Sequence, residues 1–299
     1  MHATVLRYVR EIGRSGSIRR AALRLNVAST AVNRQLLALE AQLGVRLFDR
    51  LPQGVRPTPA GALLLRHVGD TLGSYERLLA ELDGLRGLRS GHVRIVALDS
   101  LLVDFLPRVL ARFATNHGAV SYSVQTAAPT AVFQEIVAGE AELGLTFVAP
   151  ASPAVKLVAA VSTPIGLLTA HNDPLRRVQP VTFAALAGRP VLLQHETLPA
   201  EIDPDFAAFC AGASRRLLSN SLAMLGRSVQ AGMGVAFFTR MGFRREIAEG
   251  QLQWLRLESP KLNALKLGLY APARRTLLPA ASALLDTLKT SLPELERAK

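Results

Sequence analysis

Ser17 can cap a helix that runs from Ile18 to Leu25, Asn26-Val27-Ala28 can make a turn, and a longer helix can follow from about Ser29 to Leu43. Two helices joined by a three-residue turn are the helix-turn-helix pattern, and no other stretch of the chain limits the fold so tightly. Ala21 and Ala22 are small where the two helices must cross closely, and Val32, Leu36, Leu39 and Leu43 repeat at spacings of four, three and four. Ahead of them, Leu6, Val9 and Ile12 recur every three residues, which predicts a short amphipathic helix ending at Gly13. Taken alone, this pattern also fits an ordinary helical hairpin.

The other face of the second helix shifts the balance. Ser29, Thr30, Asn33, Arg34 and Gln35 are short or amide-bearing donors and acceptors near its N-terminal end, where a recognition helix presents side chains to base edges in the major groove. A helix surface built only for solubility would more usually carry Glu and Lys. Residues 44–50 and 53–58 then read as two short strands about a Gly turn, with Arg50 and Arg56 flanking it as phosphate contacts of a wing. Charge agrees with this reading. The whole chain carries +12, and residues 1–58 hold ten Arg against only Glu11, Glu40 and Asp49, a balance of +7. A basic face of that kind suits a phosphate backbone, although an anionic membrane surface is also open to it.

The run GSIRRAALRLNVASTAVNRQLLALEAQLGVRLFDR, followed by GVRPTPAG, resembles the DNA-binding domain of LysR-type transcriptional regulators. The matching positions are Ala21-Ala22, Ala31-Val32, Arg34-Gln35, Leu39-Glu40, Leu43-Gly44, Leu47-Phe48-x-Arg50 and Thr58-x-Ala60-Gly61. Three departures stand out. The family usually has Ser where this chain has Asn33, a capping Ser where it has Ala28, and Gln-Pro or Gln-Ser where it has Ser29-Thr30. Positions 29, 30 and 33 face the groove, so an unusual operator is expected, and loss of the cap costs about 1 kcal/mol unless Ser29 replaces it. The resemblance and the residues together assign DNA contact to Ser17, Ser29, Thr30, Asn33, Arg34, Gln35, Arg50 and Arg56.

Thr58-Pro59 is a cap followed by Pro at the first helical position, which starts a helix expected to reach about Leu88. Along it Leu65, Val68, Leu72, Tyr75, Leu79 and Leu82 are spaced three, four, three, four and three, a heptad seam. A core helix shows the same stripe. Because Arg66, Asp70, Glu76, Arg77, Glu81 and Asp83 leave the other faces polar, the seam is expected to meet a second subunit rather than a surrounding core. The resembling family uses this linker helix to dimerise. It also implies a tetramer built as a dimer of dimers that bends promoter DNA, with RNA polymerase as a further partner.

After a hinge at residues 89–91, strands and helices alternate, which predicts an α/β domain with parallel strands over 92–299. More than ten candidate strands in about 200 residues divide better into two lobes than into one sheet. The segments FLPRVLARF, IVAGEAELGLTF, HNDPL and VQAGMGVAFF resemble the effector-binding domain of the same family, which is like the periplasmic solute-binding fold. That implies crossings near Thr163-Pro164 and near Lys266–Gly268, with lobe I at 92–162 and 269–299 and lobe II at 163–268. The expected fold class is thus an all-α winged helix-turn-helix domain (1–58) and a coiled-coil linker helix (59–88), followed by an α/β two-lobed effector domain. Ligands of open α/β sheets bind at strand C-termini beside helix N-termini, which selects Ser100, Thr126, Thr130, Thr146, Phe147, Gln194, Asn220 and Ser221. Asp99 and Glu196 complicate an anion site, because a carboxylate repels an acidic ligand or selects one with an amine or hydroxyl.

Enzyme chemistry finds little support. There is no G-x-S-x-G, P-loop or G-x-G-x-x-G; His195-Glu196 invites a zincin reading, but position 199 is Pro. The six His show no metal-ligand spacing, and a single cysteine, Cys210, excludes an intrachain disulfide and a Cys-based zinc site. Neither cofactor nor metal is expected. The first sixteen residues lack an apolar signal core and no stretch has 18 consecutive apolar residues, so the expected location is the cytoplasm, with double-stranded DNA, a small-molecule effector and a second copy as partners and no membrane. Two rivals are a solute-binding protein or effector-sensing domain without specific DNA binding, which has no use for residues 1–88, and a metabolic enzyme with a helical oligomerisation arm, which needs a catalytic constellation that the sequence does not offer.

Overall fold

The structure, a computed structural model, describes residues 3–85, 91–149, 152–195 and 202–296. The chain divides into two units, Met1–Ser90 with Glu135–Ala141, and Gly91–Gln134 with Glu142–Lys299.

The first unit contains α1 (Ala3–Ser15), α2 (Ile18–Arg24), α3 (Ser29–Leu43), a hairpin of β1 (Phe48–Leu51) and β2 (Gly54–Pro57), and α4 (Pro59–Leu85). Its core gathers one apolar stripe from each helix: Leu6, Val9 and Ile12 from α1, Ala21 and Ala22 from α2, and Val32, Leu36 and Leu39 from α3, closed by Leu47 and Phe48. Helix α1 runs two residues past the expected end. Gly13 does not stop it, because its bare face receives α4: a Cβ there would lie 2.8 Å from the Leu65 side chain. Leu43, read as part of the buried repeat, is exposed at the C-terminal end of α3.

Helix α4 corrects the seam. Val68 and Leu72 are buried in the same cluster as Leu6, Val9 and Ile12, and Leu65 packs against it. The first half of the apolar stripe is therefore consumed by the chain's own core. Tyr75 and Leu78 are half exposed, and the side chains of Leu79 and Leu82 lie outside those described.

In the second unit the chain passes through β3 (Gly91–Ala97), α5 (Phe105–Ala114), β4 (Val120–Thr126), α6 (Ala131–Val137), β5 (Leu143–Phe147) and β6 (Val155–Ser162). It crosses to β7 (Ile165–Ala170), β8 (Pro190–Gln194), α7 (Pro204–Gly212), β9 (Ser214–Ser219), α8 (Leu222–Gln230), β10 (Val235–Thr239), α9 (Arg244–Ala248), β11 (Leu252–Leu255) and α10 (Pro260–Asn263). It returns through β12 (Lys266–Pro272) and α11 (Pro279–Ser291).

Two five-stranded sheets result, ordered β4-β3-β5-β12-β6 and β11-β7-β10-β8-β9. Both are mixed, where parallel strands were expected. β3 runs parallel to β4 and β5, but the returning β12 inserts antiparallel between β5 and β6, and β7 lies antiparallel to β10 and β11. A strand that re-enters its first sheet from the other lobe arrives from the opposite end, which fixes that direction. The outward crossing is Thr163-Pro164. The return lies at Ala264-Leu265 rather than at Lys266–Gly268, since those three residues already pair with Ser162, Val161 and Ala160 of β6. The two crossings are joined: the Thr163 N–H donates to the Leu265 carbonyl at 2.8 Å.

Candidate nucleic-acid interface and ligand cleft

The nucleic-acid face is built from side chains that hold backbone. Ser17 caps α2 by accepting the Arg20 N–H at 3.4 Å, and Arg24 pairs with Glu11 to tie α2 to α1. Helix α3 starts at Ser29 after Ala28, which offers no side-chain acceptor, so the missing cap is not replaced. Its first N–H groups thus lack a side-chain partner on an exposed turn, the kind of helix end that attracts a phosphate. Ser29, Thr30 and Arg34 are exposed there, and Asn33 and Gln35 half exposed.

The structure joins two residues that the sequence assigned to separate tasks. Arg50 Nη2 donates to Asn33 Oδ1 at 3.0 Å, linking the hairpin to α3. Arg56 stands opposite Asp49 in the hairpin register and is exposed.

Three further residues position this face; the sequence marked Glu40 and Gly61 only as family matches and read Thr58 as the cap of the next helix. The Glu40 carboxylate accepts the N–H groups of Leu47 at 2.7 Å and Phe48 at 3.2 Å, fastening the end of α3 to the start of the hairpin. Thr58 Oγ1 donates to the Arg46 carbonyl at 2.8 Å and accepts the Gly61 N–H at 3.0 Å, so one hydroxyl caps α4 and grips the segment that leads into the hairpin. Gly61 is required by contact: a Cβ would lie 1.9 Å from the Leu47 carbonyl oxygen.

Between the two sheets of the second unit lies a cleft of about 380 Å³. Of the eight residues selected from the sequence, Ser100, Thr126, Phe147, Gln194 and Asn220 line it. Three do not. Thr146 is fully buried on the other side of its strand and donates to the Pro129 carbonyl at 3.1 Å, Ser221 caps α8 by accepting the Met224 N–H at 3.3 Å, and Thr130 is exposed beyond the rim. The sequence missed the aromatic wall of Phe206 and Phe237, as well as Thr239, whose buried hydroxyl has no hydrogen-bond partner among the described residues. Glu196 lies outside the described residues.

Asp99 is the charged group of this lining. It sits on the turn after β3, and Gln194 Nε2 donates to its Oδ2 at 3.0 Å from the opposite lobe. Burial pushes its carboxyl above the ordinary range, opposed by the Ser100 N–H, the Gln194 amide and its own N–H, which favour the charged form. Elsewhere, burial pushes the Cys210 thiol up to about 11, leaving roughly one part in ten thousand as thiolate at neutral pH. Among the described residues no group of three or more His, Cys, Asp or Glu could hold a metal ion, and no helix is long and apolar enough to cross a membrane.

A helix-turn-helix with a basic hairpin, followed by a two-lobed α/β unit with an interlobe cleft, defines the class of ligand-responsive DNA-binding regulators. Residues 4–62 match the bacterial regulatory helix-turn-helix proteins of the lysR family, and residues 86–293 match the LysR substrate binding domain. The chain belongs to the LysR family of transcriptional regulators. It is 25% identical over 262 residues to a probable RuBisCO transcriptional regulator of Porphyra purpurea, covering 85% of this chain and 83% of that one. Its fold is similar to a full-length OxyR variant from Pseudomonas aeruginosa, at TM-score 0.66 and 17% identity over 96% of this chain and 94% of that one. It is likewise similar to full-length CbnR solved with its target DNA, at TM-score 0.59 and 19% identity over 97% and 100%.

Proposed function

We propose that this regulator binds a dyad-symmetric operator as a dimer or a dimer of dimers, with α3 in the major groove and the hairpin arginines on flanking phosphates. In this reading Ser29, Thr30, Arg34 and Gln35 read base edges, while Arg50 and Arg56 contact backbone. Asn33 holds Arg50 until the groove competes for both. Subunits pair through the outer part of α4, where Tyr75 and Leu78 remain exposed. The observation that carries the proposal is the exposed, uncapped, polar start of α3 linked to a basic hairpin by the Arg50–Asn33 bond.

A small molecule in the cleft acts by its unequal affinity for two arrangements of the lobes, which changes subunit packing and the spacing of the DNA-binding pairs. RNA polymerase is the partner through which transcription responds, and the cytoplasm is the compartment.

Pull-down of genomic fragments with the purified chain at two salt concentrations tests the DNA reading. Enrichment of one or a few dyad elements with half-sites whole helical turns apart is expected. Uniform enrichment that falls with salt alone, and that persists when metabolites are added, would defeat it. Ser100→Trp fills the cleft floor and should abolish effector response in a reporter strain while leaving operator affinity intact. A normal response would remove the cleft from the mechanism.

A further inference from the structure

The cleft lining holds one carboxyl group, with no counter-ion among the described residues. Asp99 is its only acidic or basic residue apart from His195, and no Lys or Arg lines it among the described residues. A carboxylate offers about four acceptor positions. The Ser100 N–H, the Gln194 amide and its own N–H take three of them, and no ion pair to Asp99 is formed among the described residues. Holding such a charge away from water without a counter-ion is costly. Across the cleft, Thr239 Oγ1 is buried and has no hydrogen-bond partner among the described residues, and Phe206 and Phe237, with ring centroids 5.0 Å apart, form an apolar wall.

These groups ask for a ligand with a donor-rich cation at one end and an apolar body at the other. We propose that the effector is a small amine whose ammonium pairs with Asp99 and whose ring or short alkyl body lies against Phe206 and Phe237. This rests on the cleft reading above and adds the ligand's chemical class. An ammonium has three N–H donors, enough to serve Asp99 in one lobe and Thr239 or the Gln194 carbonyl in the other. It thereby ties the lobes more firmly than the existing Asp99–Gln194 bond. An anion of the same size meets Asp99 with repulsion and finds no cation in the described lining.

Isothermal titration of the full chain with matched probes tests this. Two sets serve: 2-phenylethylamine, 2-phenylethanol and 3-phenylpropionate; and butylamine, butanol and pentanoate. In at least one set the amine should bind about tenfold or more tightly than its alcohol and carboxylate partners, the range of a charge-assisted hydrogen bond. Asp99→Asn should level the set to within about threefold. Gln194→Lys, which brings an internal cation to Asp99 and leaves the carboxylate in place, should abolish amine binding; operator binding and melting confirm that each variant is folded. Equal or tighter binding of a carboxylate or alcohol, amine preference that survives Asp99→Asn, or no amine binding at all would overturn the proposal. None of these outcomes touches the cleft itself, which the Ser100→Trp reporter response judges separately.

Discussion

In the amine reading, Asp99 serves ligand recognition at the expense of stability. Its folded-state pKa lies above the ordinary 3.8, so between the two values the folded chain holds the extra proton. The destabilisation therefore grows as pH rises through that window and is complete above it. Asp99→Asn keeps the shape and an acceptor for Gln194, so in the ligand-free chain it should raise the melting temperature at neutral pH. The gain should shrink as pH falls toward the ordinary carboxylate range. A lower melting temperature at neutral pH would mean that the bonds from Ser100 and Gln194 outweigh burial. Legibility at this scale followed side-chain direction. The strand-end rule located the end of β5, but Thr146 and Phe147 point to opposite faces, and only Phe147 reaches the cleft. Ser221 and Ser17 are alike in sequence as helix caps, and nothing local says which cap lies beside a ligand.

At the scale of elements, α3 and its hairpin were legible because periodicity and polar patterning are local. The fastening between them was not, since Glu40 reaches Leu47 and Phe48 through space and Gly61 answers to the Leu47 carbonyl. Arg34→Ala should weaken operator binding by about 1–3 kcal/mol and relax base preference, whereas Arg56→Ala should weaken binding to every sequence and lower the salt slope by about one. Fluorescence anisotropy against operator and scrambled duplexes separates these, and equal effects of the two variants would overturn the division of roles. For α4, the heptad was real but ambiguous: a stripe packed on α1 and the chain's own core and one facing a second subunit have the same spacing. Tyr75→Asp with Leu78→Asp should halve the mass seen by light scattering with little loss of melting temperature. Val68→Asp should instead unfold the first unit, at a cost of about 3 kcal/mol or more, because it places a charge in a closed core. A dimer that survives the first pair would move the interface off this helix.

For the molecule as a whole, the two-lobed layout was readable from strand number and family resemblance, while the antiparallel β12 depended on where the chain returns, which no local pattern records. That return has a mechanical consequence. The outgoing link at Thr163-Pro164 and the incoming one at Leu265 lie side by side, pinned by the Thr163 bond. Like the two knuckles of a door, adjacent fixed points define an axis and resist twist about any other. The expected motion between the lobes is a swing about that axis, and the length of whatever stands between them would set its angle. Molecules of graded size should therefore hold this door at graded settings, so that the same hinge yields full response, partial response or none from one family of compounds.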